Sequence, residues 1–473
     1  MTTIQRVTDW IRGLPDDFTN SPISTPAEEE APPPQSQSRK RKKVQEPSPP
    51  ATVADMDDPE TPTNKRQRLI LATDTELTPR PLYDPSSDPV KAPSLSGSNT
   101  SGQSRSTSPL KRQFLELRLD ETGVETRALS VDTLKALPNE DAASLLRIMR
   151  RIGTCKGFLP ENKREEILQD HGIGDGDLDD WDSAFKDSSA FDDLPGRIPS
   201  PGEIRLVREW TTDCIDFKHE EAGWNDEVHF RLLQAIFREP GEKGGGLFNI
   251  TTRYAARSPV DSNLILTKLD SNTARPHKNW LPRSVGSKMV DFCVYADTAY
   301  TDATSFKPHE AFCRTTLTKS VNQTDFQRLQ MRPIVLSIET KAGNQNLDAA
   351  ELQIGVWHAA QWAFLRSSLI TVKRAHPNRP ATEQEIKAAD EALASLRFIP
   401  AVIVQGHRWL FVLLTRQGHK TILWKEWQFG STSTVVETYQ TVAGIRQLTA
   451  WAEKVYLPWF EKEILAYYKP GLG

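Results

Sequence analysis

Two residues that could carry chemistry, Glu339 and Lys341, stand at the end of an apolar run. The run predicts a β-strand, and residues two apart on a strand share one face, so these two side chains should lie together while Thr340 points away. A second apolar segment, residues 288–295, carries Asp291 in its middle. Carboxylates on two neighbouring strands would hold Mg²⁺ or Mn²⁺, and a lysine beside them would assist a water nucleophile or stabilise charge on a phosphate.

Burial is the argument for function at these positions, because an acid inside an apolar strand is costly unless it is paired or holds a metal ion. Asp291 stands between Val290 and Phe292 and therefore either binds a cation or forms a structural salt bridge. Glu339 and Lys341 could likewise do no more than neutralise each other. Both interpretations stay open at this point.

A third acid, Glu221, opens a predicted helix over residues 221–237. It precedes Val228 by seven residues, about two helical turns, and so falls on the apolar side of that helix. Glu220 and Glu227 are displaced from this side. Glu221 is therefore the acid expected to point inward, although an ordinary acid in the first turn, favoured by the helix dipole, would look the same.

Several segments match one known family in order along the chain: residues 221–233, 322–341 and 351–362. With them the chain resembles the fungal PD-(D/E)XK nuclease-like family from about Leu110 to the C-terminus. Val290 stands where the superfamily's name has proline. The resemblance implies an α/β fold with a restriction-endonuclease-like core, a mixed sheet flanked by helices, in the order α–β–β–α–β.

Gln353 and Trp357, one helical turn apart, resemble the Gln-x-x-x-Tyr element of RecB-like nucleases. Gln353 could bind a water or a carboxylate of the site, whereas Trp357 could stack on a base or simply pack in the core. The residues expected to be catalytic are Asp291, Glu339, Lys341, Glu221 and Gln353. Those expected to hold the metal ion are Asp291, Glu339 and Glu221.

The function implied is Mg²⁺- or Mn²⁺-dependent hydrolysis of a phosphodiester bond in DNA. The alternative is a catalytically inactive nuclease-like fold that serves as a nucleic-acid or protein binding module. A net charge of −4 gives no global basic field, so affinity for DNA must come from local patches. Four basic residues before the Asp291 strand could line a phosphate-binding groove or be solvated loop charges: Arg275, Lys278, Arg283 and Lys288.

Composition divides the chain. Hydrophobic residues make up only 37% of it, below the ~45–50% of a globular chain. Residues 1–109 are rich in Pro, Ser and Thr and are predicted to be a disordered tail. Residues 110–200 are predicted as a helical N-terminal extension, and residues 201–473 as the nuclease-like domain. Two basic clusters in the tail, Arg39–Lys43 and Lys65–Arg68, would suit an import receptor and nuclear localisation, or be solvated charge runs.

The sequence disfavours a membrane-spanning protein, a zinc or disulfide framework and an EF-hand. No segment approaches the ~18 apolar residues of a membrane span. The four cysteines are widely separated, which argues against a zinc site or a disulfide framework and suits a reducing, intracellular compartment. An acidic stretch starting at Asp175 resembles a calcium-binding loop, but an EF-hand needs glycine and glutamate where Asp180 and Lys186 stand.

Periodicity and turn residues predict the remaining elements. The predicted helices cover residues 141–152, 348–369 and 435–468, with another beginning at Glu203. The predicted strands cover residues 287–296, 333–340, 398–405, 409–415 and 421–427, and residues 297–331 are predicted as a polar connection.

Overall fold

The structure is a computed structural model that describes residues 108–129, 140–169, 181–252, 275–286, 288–297 and 306–468. Nearly all of the predicted tail lies outside these ranges, together with both of its basic clusters. So do residues 170–180, which include the first half of the acidic stretch weighed as a calcium loop, with Asp175 and Asp180. The architecture below belongs to the unit Asn99–Gly473.

The apolar runs form strands. Their bounds are β1 Val124–Ala128, β2 Leu159–Pro160, β3 Phe185–Lys186, β4 Phe248–Thr252, β5 Phe292–Ala296, β6 Ile334–Lys341, β7 Phe398–Gln405, β8 Arg408–Gln417 and β9 Lys420–Ser431. Seven of them make one mixed sheet in the order β1-β9-β8-β7-β6-β5-β4, and β2 pairs with β3 separately. The β6–β7 and β1–β9 pairs are parallel, and the other neighbours in the large sheet are antiparallel.

Helices cover the sheet. They are α1 Pro109–Leu119, α2 Glu140–Gly153, α3 Arg164–Leu168, α4 Pro201–Asp216, α5 (residues 221–237), α6 Phe306–Thr315, α7 Leu347–Lys373, α8 Glu383–Ser395, α9 Val435–Trp451 and α10 Leu457–Glu463. Helix α5 runs through three consecutive segments, Glu221–Trp224, the π turn Asn225–His229 and Phe230–Phe237. A second π turn, Ala452–Tyr456, joins α9 to α10. None of the described helices is long and apolar enough to span a membrane.

The predicted fold class is confirmed, because a mixed sheet is flanked by helices. Elements α5, β5, β6, α7 and β7 follow one another in the expected α–β–β–α–β order, with β4, α6 and α8 inserted between them. The start of α4 also follows its sequence signal. Ser200 and Glu203 form a capping box in which each side chain bonds to the other residue's backbone N–H.

Two segments differ from their predictions. Residues 297–331 are not wholly a connection, because they contain α6, which buries His309, Phe312 and Cys313. Residues 110–200 are not wholly helical, because they supply β1, which pairs with β9 at the edge of the sheet. Strand β1 buries only its first residue and so shows no apolar alternation, and α6 is short, with only two apolar residues, Phe312 and Cys313, among those it buries.

Strand β6 lies inside the sheet, and all eight of its residues are buried. Its parallel neighbour β7 alternates, since Val402 and Val404 join one hydrophobic cluster while Ala401 and Ile403 join another. The sheet is therefore packed on both faces, which explains the continuous apolar runs. The acid and the lysine at the end of β6 consequently lie in a region of low dielectric.

The turn between β7 and β8 closes over the end of β6. The Gly406 N–H donates to the Lys341 carbonyl at 2.7 Å, and the Gly406 carbonyl accepts from His229 Nε2 of α5 at 2.9 Å. Gly406 has a φ of +57°, and a Cβ there would stand 2.9 Å from the Gly343 Cα. Glycine is thus required by both conformation and space.

We expect Gly406→Ala to lower the free energy of unfolding by roughly 2–4 kcal/mol, because the added methyl meets backbone that cannot move aside. Gly418→Ala is the matched control. Gly418 has a similar φ of +63° but open space around the Cβ position, so it should show only the conformational cost of about 1 kcal/mol. Urea denaturation measures both, and equal losses would show that the close approach at Gly406 has no energetic weight.

Candidate active site

The predicted site residues Lys341, Glu339 and Glu221 meet at the end of β6. Lys341 Nζ lies 2.8 Å from Glu339 Oε1 and 3.2 Å from Glu221 Oε2. It also donates to the Thr340 carbonyl at 2.8 Å. Glu339 is fully buried and Lys341 is 7% exposed, so one ammonium group is held between two carboxylates in a nearly dry environment.

Asp291 joins the cluster from the position immediately before β5. Its backbone N–H donates to the Ile338 carbonyl of β6, and its charge is close enough to act on Glu339. Its Oδ2 atom accepts hydrogen bonds from the Thr340 N–H and hydroxyl, both at 2.8 Å. Thr340 was expected to point away from the site, but its hydroxyl fixes the Asp291 carboxylate. Strand alternation gives only the face on which a side chain lies. It could not predict the contact between Thr340 and Asp291, because Asp291 precedes the first residue of β5 and reaches the β6 backbone.

Charges in the cluster shift one another. Burial, and then the nearby Asp291, raise the pKa of Glu339 well above its usual value. Burial alone would lower the pKa of Lys341, but the Glu339 and Glu221 carboxylates outweigh it and raise that pKa. Protonation of Glu339 would weaken its hold on Lys341, yet Glu221 would still pair with the ammonium. We therefore take Lys341 as charged and Glu339 as the group whose proton is variable.

Glu221 points inward, as expected, and its side chain is about one-fifth exposed. Helix α5 is not regular, because the π turn Asn225–His229 changes the phase between Glu221 and the second half of the helix. Such π turns often occur at functional sites. Here the turn places His229 against Gly406 and stacks its ring on Trp224, 5.9 Å between centroids.

A cleft of about 670 Å³ opens beside the cluster, with Asp291 and Phe292 in its wall. Helix α5 forms another side, and the end of β4 a third. The carboxylate cluster is therefore buried but adjoins open space at Asp291, which would let a ligand approach it.

A model of the PD-(D/E)XK nuclease superfamily matches residues 167–457, more than half of the chain. The chain belongs to the PD-(D/E)XK nuclease superfamily. No curated protein and no solved structure was found to match it. The matched range includes every residue predicted for the site and all strands of the large sheet except β1.

Nucleases of this superfamily typically use divalent metal ions, and the donors here fit a hard cation in part. Glu339 Oε2 is buried and has no hydrogen-bond partner among the residues described, and the charge of Asp291 is close enough to act on Glu339. Glu221, however, is engaged by Lys341. Within the described part of the chain, no three His, Cys, Asp or Glu side chains are placed to hold one ion together. Asp291 and Glu339 are thus the pair suited to a cation, and the three-carboxylate set stays a prediction.

The predicted helper residues behave differently. Gln353 lies near the site but bonds to the Met289 carbonyl at 3.4 Å, two residues before Asp291. Trp357 is fully buried and donates to Ser337 Oγ at 2.9 Å, so it packs in the core and does not stack on a ligand. His229 and His358 are also buried, and burial lowers the pKa of each to about 4.

We expect Glu339→Gln to raise the free energy of unfolding of the metal-free protein by roughly 1–3 kcal/mol near pH 8. A carboxyl whose pKa is raised by folding stabilises the fold below its unfolded pKa. That contribution is lost as pH rises from the usual value of 4.5 through the raised one. Urea denaturation in EDTA from about pH 5 to pH 8 should therefore show a smaller loss for the variant than for the wild type.

Glu351→Gln is the matched control for this prediction. Glu351 is 2% exposed and lies 2.6 Å from Lys425, so the same substitution there should lower stability. A loss of similar size in both variants would mean that Glu339 serves only to neutralise Lys341.

Proposed function

We propose that this PD-(D/E)XK domain hydrolyses phosphodiester bonds in DNA with Mg²⁺ or Mn²⁺. One observation carries the proposal: Asp291, immediately before β5, and Glu339 on the neighbouring strand β6 are close enough to repel each other, with Lys341 bonded to Glu339, next to a cleft. A buried acid pair of this kind costs stability unless a cation neutralises it. A nuclease-like fold kept only for binding would have no use for that cost.

Each side chain has a role that follows from its contacts. Asp291 and Glu339 would hold the cation, which would act as a Lewis acid on a phosphoryl oxygen and make a water more acidic. Thr340 keeps the Asp291 carboxylate in place through its two hydrogen bonds. Lys341 would turn its ammonium from Glu339 to the phosphate and stabilise the charge that develops there. Glu221 keeps Lys341 charged and near the site.

Segments outside the acid cluster also have proposed roles. We propose that Gln353 supports the site by holding the segment before Asp291 through Met289. The catalytic domain would cover residues 201–473, with residues 110–200 as its extension. The clusters Arg39–Lys43 and Lys65–Arg68 would direct the protein to the nucleus through an import receptor.

Asp291→Asn should abolish Mn²⁺ binding and DNA cleavage by the full-length chain, because it removes a charge from the acid pair. Calorimetry measures the binding, and a nicking assay on supercoiled DNA measures the cleavage. Asp226→Asn is the matched control, since Asp226 lines the same cleft outside the cluster, and it should leave Mn²⁺ binding unchanged and should still allow cleavage. A wild-type chain that binds neither ion, even with DNA present, would favour the binding-module alternative.

Lys341→Met should separate binding from cleavage. Lys341 now competes with any cation for Glu339, so its removal should tighten Mn²⁺ binding measured by calorimetry. Cleavage should fall by about 10²-fold or more, because the donor to the phosphate is lost. Weaker Mn²⁺ binding in a folded Lys341→Met protein would show that the lysine supports the cation site and does not compete with it.

A further inference from the structure

The cleft beside Asp291 carries three basic side chains that sequence analysis did not select: Arg238, Lys243 and Arg328. They come from the end of α5, the segment before β4, and the short helix Gln327–Leu329. The four basic residues that sequence analysis considered are not among the residues that line this cleft. The only acidic side chains among the lining residues are Asp226 and Asp291 itself.

Arg238 is held in place by neutral groups. Its Nε donates to Asn249 Oδ1 at 3.0 Å and one terminal nitrogen donates to the Ile250 carbonyl at 3.2 Å. The guanidinium lies 5.5 Å from the centre of the Phe230 ring. These contacts fix its position against β4 and use only part of its five N–H donors. Its other terminal nitrogen has no partner in the described part of the chain.

Burial is the largest cause that lowers the pKa of Arg238, and the positive charge of the nearby Arg328 is the second. Other partly buried arginines are neutralised, as Arg197 is by Glu203 and Arg366 by Asp390. Arg446 donates to two backbone carbonyls instead, and no neighbouring cation lowers its pKa. Among the described residues, no carboxylate forms an ion pair with any of the three basic residues of the cleft. Two like charges kept together, without an ion pair to any carboxylate that the structure describes, call for an anion from outside.

We propose that Arg238, Lys243 and Arg328 bind a backbone phosphate of a nucleic-acid strand whose neighbouring phosphodiester bond reaches Asp291. That the ligand is a nucleic acid rests on the proposed function, whereas the binding site itself is inferred from the residues that line the cleft. Arg238 supplies a rigid, pre-positioned fork for phosphate oxygens. Lys243 and Arg328 are exposed and add charge at the mouth of the cleft. None of the three reads a base, so the site favours no sequence.

The test is the double variant Lys243→Gln with Arg328→Gln, made in full-length protein that also carries Glu339→Gln so that no cleavage occurs. Both residues are exposed, so the fold should survive their replacement. Fluorescence anisotropy with a short labelled DNA duplex, in EDTA and over a range of salt concentrations, gives the affinity. We expect roughly tenfold weaker binding, and a plot of log affinity against log salt that is shallower by about two.

The matched control is Lys387→Gln with Lys462→Gln in the same background. It changes the net charge equally at two side chains that are 78% and 81% exposed and do not line the cleft. Equal affinity and slope in the two double variants would overturn the proposal. So would a labelled mononucleotide that binds as tightly as the duplex, since the ligand would then be a small phosphate.

Cleavage by the otherwise wild-type chain, measured with Mn²⁺, separates this proposal from the proposed function. Cleavage of DNA together with unaltered binding by the cleft variant would sink the phosphate site and leave the nuclease. Weakened binding without any cleavage would support the phosphate site and remove the hydrolytic function. Absence of duplex and single-strand binding in the parent Glu339→Gln protein would overturn the phosphate site directly.

Discussion

The buried charge at the end of β6 is the constraint around which the neighbouring elements are arranged. Glu339 is fully buried close to Asp291, and two carboxylates so placed repel each other in a region where water cannot screen them. Lys341 offsets part of this repulsion, and Thr340 fixes Asp291 through two hydrogen bonds. The sheet could have ended in apolar residues at less cost, so the arrangement points to a use for the charge.

Helix α5 connects the three parts of the site along its length. Its first residue, Glu221, contacts Lys341, and His229 in the π turn bonds to the Gly406 turn that closes over β6. Arg238, at the C-terminal end of α5, reaches the backbone of β4 and the basic cleft. A change in the phase of α5 would therefore alter the acid cluster and the cleft together. The π turn sets that phase, which gives it a structural reason to exist.

Sequence predicted what depends on local pattern and missed what depends on contacts between distant segments. The β6 apolar run predicted its strand, and the spacing behind Glu221 selected the acid that contacts Lys341, although the π turn means that the helix lacks the regular phase which this spacing assumed. The role of Thr340 was missed because alternation treats a strand as ideal up to its last residue. Arg238 and Arg328 were missed because they are far apart in sequence and only folding brings their charges together.

The basic cleft and the acid cluster depend on each other for any function on a polyanion. The whole chain carries a net charge of −4, so only a local excess of positive charge can attract a phosphate backbone. The same cleft has Asp291 in its wall, which repels a phosphate until a cation neutralises it. A module that only bound nucleic acid would bind better without Asp291 and Glu339. Attraction at one end and a cation-requiring acid pair at the other fit a site where a strand is held and then cleaved.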